Sequence, residues 1–181
     1  MRIHIVGASG SGTTTLGEAL GRSLGIVHMD TDDVYWLPTD PPFREKRAIP
    51  ERVSMLLATF ERLDRWVLSG SLVSWGSPLV PHFTLAVFLW VPDAIRMARL
   101  EGRERERYGA RMEPGGDMHE AVQEFLNWAS HYEQSDFGGR SRRVHEDWLA
   151  TLPCPVLRIE GTQTVEESVA RVREALRSEG L

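Results

Sequence analysis

Residues 7–15 read Gly-Ala-Ser-Gly-Ser-Gly-Thr-Thr-Thr, and the rest of the chain is organised around this stretch. A short apolar run, residues 3–6, precedes it and predicts a strand. Leu16, Ala19, Leu20 and Leu24 follow it at helical spacing. A strand, a glycine loop and a helix form the context of a phosphate-binding P-loop. In such a loop the glycines let successive N–H groups and the helix N-terminus face an anion.

The loop departs at one position from the pattern Gly-x-x-x-x-Gly-Lys-Ser/Thr. Gly7 and Gly12 match the glycines, Thr14 matches the hydroxyl that binds magnesium, and Thr13 stands in place of the lysine. Lys46 is the one lysine among 21 basic residues, so the lysine has not moved to a neighbouring position. Three interpretations stay open: a turn that binds nothing, a nucleotide-binding protein without catalysis, and a kinase whose missing charge comes from elsewhere.

Composition limits the classes of protein. A chain of 181 residues that is 41% hydrophobic suits one globular domain, residues 1–181. The net charge of −5 argues against a nucleic-acid partner, and a single cysteine excludes a disulfide within the chain. No apolar stretch has the length of a membrane helix and the N-terminus does not resemble a signal peptide, so we expect a cytoplasmic protein without a membrane partner. The sequence does not indicate an oligomeric state.

Five short apolar runs alternate with helical patterns, at residues 3–6, 26–29, 66–68, 85–91 and 156–159. This alternation predicts an α/β protein, a three-layer α/β/α P-loop fold with a five-stranded parallel sheet. Helices are expected after Pro50, from Pro92, over 118–135 and over 165–177, with a mobile, glycine-rich stretch at 108–117. Ligands of such folds bind at the carboxyl ends of the strands, where the P-loop, the acidic run 30–33 and Ser69-Gly70 would meet.

The segment from Val91-Pro92-Asp93 through Arg99 to Gly102-Arg103 resembles the adenylate kinase segment that enters the lid. The whole chain thus resembles the nucleoside monophosphate kinase family of P-loop kinases. The resemblance implies a mobile lid over about residues 103–143, with Arg99 beside the base and Arg103 on the transferred phosphates. Residues 159–163, Ile-Glu-Gly-Thr-Gln, resemble the loop that packs on the adenine.

Gly12 to Gly17, together with Asp30-Thr31-Asp32, is more similar to the shikimate-kinase branch of the family. That similarity implies that Asp30 supports Mg²⁺ with Thr14, and that Asp32 holds an acceptor hydroxyl. The Gly-Thr-Thr-Thr run also resembles archaeal-type cytidylate kinases, which makes a threonine at position 13 compatible with activity.

Arg96, Arg99, Arg103 and Arg107 share one face of the helix that starts at Pro92, and the glutamates among them also fit a solvated face. Residues 31–65 are expected to form much of the acceptor site. The predicted site residues are Thr13, Asp32 and Arg103 for catalysis; Gly7, Ala8, Ser9, Gly10, Ser11, Gly12, Thr13, Thr14, Thr15, Arg99, Gly161, Thr162 and Gln163 for the nucleotide; Asp32, Asp33, Arg44, Gly70, Ser71, Arg140 and Arg143 for the acceptor; and Thr14 and Asp30 for the metal.

The expected activity is that of an ATP- and Mg²⁺-dependent kinase, which needs in-line positioning and positive charge more than covalent chemistry. A nucleoside monophosphate is the favoured small acceptor. Two alternatives remain: a shikimate- or sugar-type kinase on the same scaffold, and a nucleotide-binding regulatory protein without turnover, since Thr13 replaces the lysine.

Overall fold

A five-stranded parallel sheet forms the centre of the computed structural model, which describes residues 1–181. The strand order is β2-β3-β1-β4-β5, and every neighbouring pair is parallel. This confirms the predicted sheet and its three-layer α/β/α surroundings. The strands are β1 (Arg2–Gly7), β2 (Val27–Asp30), β3 (Trp66–Ser69), β4 (Leu85–Trp90) and β5 (Val156–Glu160).

Seven helices connect and flank the strands. Two short 3₁₀ segments accompany them, at Ser77–His82 and Gly109–Met112. The helices are α1 (Thr13–Leu24), α2 (Thr31–Tyr35), α3 (Ile49–Phe60), α4 (Asp93–Tyr108), α5 (His119–Ser130), α6 (Arg142–Leu149) and α7 (Val165–Ser178).

Strand β1 occupies the middle of the sheet and is buried on both faces. Ile3 is fully buried and lies in register with Val67 of β3 and Leu85 of β4. A strand buried on both faces needs apolar residues at successive positions, as β4 has; among the buried residues of β1 the one polar exception is His4, whose Nδ1 is 3.2 Å from the Leu68 carbonyl. The P-loop that follows β1 is therefore held at the centre of the sheet's carboxyl edge.

Two apolar cores cover the two faces of the sheet. On one face α1 and α7 bury Leu16, Leu20, Val172 and their neighbours against β1 and β4. On the other face α3 packs Leu56 and Phe60 on β3, and the ring of Phe60 stacks on that of Trp66 with centroids 4.1 Å apart. Aromatic pairs in this geometry add to the stabilisation from burial alone.

The segment around the predicted lid has a small core of its own. Leu100 of α4, Met112 of the second 3₁₀ segment, and Val122 and Leu126 of α5 are buried together. This core extends from Leu100 to Ala129 and covers part of the predicted lid. The mobility of residues 103–143 stays a prediction.

The structure differs from the sequence predictions in two stretches and adds two helices. The helix expected over 118–135 ends at Ser130, and the stretch 108–117 contains a 3₁₀ turn. Helices α2 and α6 were not predicted. Both begin at side-chain caps, because Asp30 accepts from Asp32 N–H and the Ser141 hydroxyl accepts from Val144 N–H.

None of the seven helices combines the length and the apolar character needed to cross a membrane.

Candidate active site

The loop between β1 and α1 has the backbone of an anion-binding turn. Gly10 and Gly12 have φ of 81° and 93°, the left-handed region that favours glycine. Helix α1 has no side-chain cap and no acidic residue in its first turn, so its N-terminal N–H groups are available to a ligand. The Ser11 hydroxyl is buried without a hydrogen-bond partner. An orphaned donor beside free amides fits a phosphate group.

The P-loop supplies no cationic side chain of its own. Thr13 is half-buried, and its methyl group faces the space beside Gly7. Lys46 lies in the predicted acceptor segment. Its backbone forms an isolated antiparallel β-bridge with Trp36, and its Nζ is 6.0 Å from the ring centroid of Tyr35. If the protein is a working kinase, the charge that a P-loop lysine normally provides has to come from arginines, and this stays a prediction.

Thr14 and Asp30 meet at the carboxyl ends of β1 and β2, as predicted. Thr14 Oγ1 donates to Asp30 Oδ2 over 2.6 Å, and Ser69 Oγ donates to the same oxygen over 3.0 Å. A hydroxyl and a carboxylate are the oxygen donors that Mg²⁺ takes from P-loop proteins, with phosphates and water completing its shell. The donor set thus fits Mg²⁺ bound together with a nucleotide, and the metal role stays a prediction.

His28 supports this pair from behind. Its Nε2 is 2.9 Å from Ser69 Oγ, and since Ser69 gives its proton to Asp30, His28 must donate from Nε2. Gly17 leaves room for the imidazole, because a Cβ there would lie 2.4 Å from Nε2. Burial is the main cause that lowers the pKa of His28. Sequence reasoning missed this residue, whose only signal was a histidine inside a predicted strand.

Asp32 borders the same cavity as Thr14 and Asp30, a space of about 310 Å³ that Asp33 and Phe43 also line. Asp32 is exposed where it borders this cavity, and partial desolvation is the main cause that raises its pKa. The charge of Asp30 acts in the same direction. The opposing contributions, which lower the pKa, come from Arg140, Trp36 and Arg103.

Arg140 is the residue whose charge most lowers the pKa of Asp32. Burial lowers the pKa of its guanidinium, while the charge of Asp32 raises it. The guanidinium carbon lies 5.5 Å from the ring centroid of Trp128 and forms no ion pair within 4.0 Å. A guanidinium without an ion pair, next to an aromatic ring, is available to an anionic ligand.

The predicted base-binding residues line a second cavity of about 250 Å³ on the other side of the P-loop. Arg99, Gly161 and Gln163 meet Ser11 and Gly12 there. Gly161 is needed for space, because a Cβ would lie 2.2 Å from a methyl group of Val91. Thr162 is exposed and does not line the cavity.

The predicted lid arginines have different environments. Arg103 has a side chain 46% exposed and pairs with Glu104, which is 5% exposed and also binds Arg107. Arg143 donates to the Ser135 carbonyl outside the cleft, and the predicted acceptor residue Arg44 is exposed. The charges of Arg140 and Arg103 lower the pKa of Asp32, whereas Arg143 is held locally by Ser135 and Asp147.

Two predicted residues after β3 lie behind the cleft. Gly70, with φ of 109°, packs against Thr31, which leaves no room for a Cβ. Ser71 is buried, and its hydroxyl bonds His145 Nε2 over 3.0 Å. The expectation that Ser71 contacts the acceptor is therefore corrected, because its hydroxyl belongs to a buried network that also contains Tyr132.

The arginine face of α4 is not uniformly solvated. Arg96 is 0% exposed and Glu104 is also buried, which corrects the alternative of a solvated helix face. Arg96 Nη1 donates to the carbonyl of Ser9 over 2.9 Å. Sequence reasoning grouped Arg96 with its neighbours on the helix and could not distinguish it, since the four share one face.

A family model and curated relatives match this chain. The AAA_18 family, described as an AAA domain, matches residues 3–124. YqaC of Bacillus subtilis (strain 168), an uncharacterized protein, is 47% identical over 176 residues, which are 97% of each chain. A shikimate kinase of Thermosynechococcus vestitus is 29% identical over 168 residues, covering 84% of this chain and 90% of its own.

Solved structures show the same fold at low sequence identity. The shikimate kinase of Aquifex aeolicus superposes with a TM-score of 0.56 at 17% identity, covering 99% of this chain and 98% of its own. The deoxyadenosine kinase of M. mycoides gives a TM-score of 0.52 at 14% identity, covering 98% and 100%. The chain therefore belongs to the AAA_18 family of AAA domains, and it shares the fold of these small-molecule kinases.

Proposed function

We propose that this phosphotransferase moves the γ-phosphoryl group of ATP, bound with Mg²⁺, to a hydroxyl group of a small molecule. The observation that carries the proposal is the position of Asp32. Its carboxylate borders the cavity of Thr14 and Asp30, yet its oxygens accept nothing from those two side chains. A carboxylate with a raised pKa beside a phosphate site suits a general base for a hydroxyl.

The P-loop and its neighbours would hold the donor. The free amides at the start of α1 and the Ser11 hydroxyl would bind the phosphates, and Thr14 with Asp30 would hold Mg²⁺. The metal, when bound, neutralises charge on the phosphate oxygens. On the other side of the loop, Gly161 and Gln163 would contact the base.

The proton transfer uses Asp32. The acceptor oxygen would attack the γ-phosphorus, and the bond between that phosphorus and the β–γ bridging oxygen would break. The hydroxyl proton would pass to the Asp32 carboxylate, and ADP would leave. Arg140 and Arg103, which both act on the charge of Asp32, would stabilise negative charge in the cleft. For Arg103 to reach the phosphates it must leave Glu104.

A nucleoside monophosphate acceptor is the second candidate, and Arg140 favours it. This guanidinium, free of ion pairs beside the indole of Trp128, suits a phosphate next to an aromatic base. An ionised phosphate acceptor needs no base, so Asp32 would serve only to orient it. The shikimate-kinase relative supports the hydroxyl acceptor.

Coupled detection of ADP over a panel of hydroxy acids, sugars and nucleoside monophosphates tests the proposal. We expect turnover with a hydroxyl compound and a loss of about 10²–10⁴-fold in kcat for Asp32→Asn. Asp64→Asn is the matched control, since Asp64 is an exposed carboxylate before β3, at the opposite edge of the sheet. Turnover of monophosphates alone would select the second candidate, and ATP binding without any turnover would indicate a regulatory protein.

A further inference from the structure

Helix α4 packs directly on the P-loop, and Arg96 makes the contact. A Cβ at Gly10 would lie 2.6 Å from the Arg96 carbonyl oxygen and 2.9 Å from Leu100 Cγ, so the helix leaves no gap. From this position the buried guanidinium of Arg96 donates to the Ser9 carbonyl over 2.9 Å. One turn further along, Arg99 Nη1 is 3.4 Å from the Ser11 carbonyl. Arg96 and Arg99 thus bind the carbonyls of Ser9 and Ser11, two positions apart in the loop.

The same guanidinium reaches α5 and the segment that follows it. Its Nη2 binds the carboxylate of Asp93 and lies 3.3 Å from the Ala129 carbonyl, and its carbon lies 4.9 Å from the ring centroid of Tyr132. A planar group with several donors can hold such partners in one fixed geometry. Arg96 therefore joins the P-loop to α4 and to the predicted lid.

We propose that Arg96 is a positioning residue for phosphate binding: it fixes the carbonyl of Ser9 so that the loop amides stay turned towards the nucleotide phosphates. A P-loop with a lysine has a side chain that draws the phosphates into the loop. With Thr13 in its place, affinity depends more on a loop that is already in the binding conformation. The inference rests on the proposed nucleotide site at residues 7–15. It adds Arg96 to that site as a residue that acts through the loop and does not itself contact the ligand.

The ligands ATP and adenosine distinguish positioning from general stability. A variant that disorders the loop loses affinity only for ligands with phosphates, whereas a variant that lowers the folded population weakens both ligands equally. The variant Arg96→Lys keeps the positive charge but replaces the planar guanidinium with a single ammonium group. We expect it to weaken Mg-ATP binding by about tenfold and adenosine binding by less than about twofold. Calorimetry or competition with a fluorescent nucleotide measures both.

Arg105→Lys is the matched control, because Arg105 is an exposed arginine of the same helix without a polar partner, and both affinities should stay unchanged. Asp93→Asn gives a second, milder variant that keeps Arg96 but loosens its anchor, and its side chain is 41% exposed. It should weaken Mg-ATP by about threefold with adenosine unaffected. If Arg96→Lys does not fold, this variant decides the question.

Equal losses for ATP and adenosine, or wild-type ATP affinity in both variants, would overturn the inference. The proposed function has a separate readout, since it fails when wild-type protein binds ATP but phosphorylates no acceptor. Binding of ATP by the wild type is enough to measure the effect of Arg96.

Discussion

The guanidinium carbon of Arg107, at the end of α4, lies 4.6 Å from the ring centroid of Phe43 in the acceptor segment. Phe43 has φ of 65°, a conformation that costs a non-glycine residue energy and persists only where its surroundings fix it. Arg107 is held in turn by the buried carboxylate of Glu104. Phe43 also lines the cavity that is assigned to the acceptor.

Removal of the Phe43 ring should therefore affect the acceptor and not the nucleotide. We expect Phe43→Ala to raise the KM of the acceptor by about tenfold while the ATP affinity stays within about twofold, since a cation–π contact and a cavity wall are lost together. Steady-state kinetics with each substrate varied separately measures this. An increase in the KM of ATP alone would place Phe43 on the nucleotide side.

The pair of Thr14 and Asp30 should determine the magnesium dependence of ATP binding. Thr14→Ala and Asp30→Asn are each expected to reduce the difference between ATP affinities measured with and without Mg²⁺, because each removes an oxygen donor. Thr59→Ala is a suitable control, as its exposed hydroxyl bonds only the Met55 carbonyl within α3. Unchanged affinity of Thr14→Ala with metal present would contradict the metal role.

The pH dependence of turnover should follow the raised pKa of Asp32. A base must be ionised, so kcat/KM should fall as the pH falls through this raised pKa. Arg140 and Arg103 lower the pKa of Asp32, so Arg140→Gln should move the acid limb of the profile to higher pH. A limb that moves to lower pH, or that persists unchanged in Asp32→Asn, would assign it to another group.

Arg103 is expected to supply the cation that Thr13 lacks. Charged donors of this kind contribute on the order of 10³–10⁵ in rate in P-loop enzymes, so Arg103→Ala should lose kcat on that scale and keep most ATP affinity. Thr13→Lys should be tolerated or mildly activating. Wild-type turnover in Arg103→Ala would transfer the role to Arg140, and turnover that appears only in Thr13→Lys would favour the regulatory protein.

Two buried histidines should make the fold sensitive to acid. Burial lowers the pKa of His4 and of His145 to about 3, from the ordinary value near 6.5. The unfolded chain therefore binds more protons between these pH values, and stability is lost as the pH falls from about 6.5 towards 3, on the order of 4 kcal/mol per histidine.

Urea unfolding at pH 7, 5 and 4 measures this loss. His145→Gln should cost stability at pH 7, since Tyr132 and Ser71 lose their partner, but should show a smaller decline between pH 7 and 4. His131→Gln is the control, because His131 lies half-exposed at the end of α5. An equal decline in His145→Gln and wild type would show that other groups cause the acid sensitivity.

Much of the fold could be predicted because its strongest features are local. Strand β4 is a continuous apolar run, and the glycine loop before α1 has a sequence pattern with a physical cause. Helix α2 could not be predicted because five residues contain no helical period, and its cap, Asp30, was assigned to the metal. The side chain of Asp30 thus has a local role as a helix cap in addition to the metal role that its position after a strand suggests.

The candidate site shows the same division. Asp30, Asp32 and Thr14 follow from their places after strands, since strand ends meet at one edge of a parallel sheet. The burial of Arg96 depends on how α4 lies against the loop, and the position of Ser71 behind the cleft depends on His145, 74 residues further along. Sequence spacing alone contains neither relationship.

The place of β1 in the middle of the sheet has a kinetic consequence. The cavity assigned to the acceptor lies on the β2 side of the P-loop, and the cavity assigned to the nucleotide base lies on the β5 side. If the two cavities hold the two substrates as proposed, neither substrate has to pass through the other's pocket. We therefore expect a random-order kinetic scheme, in which either substrate can bind first, and initial-rate kinetics with both substrates varied would test it.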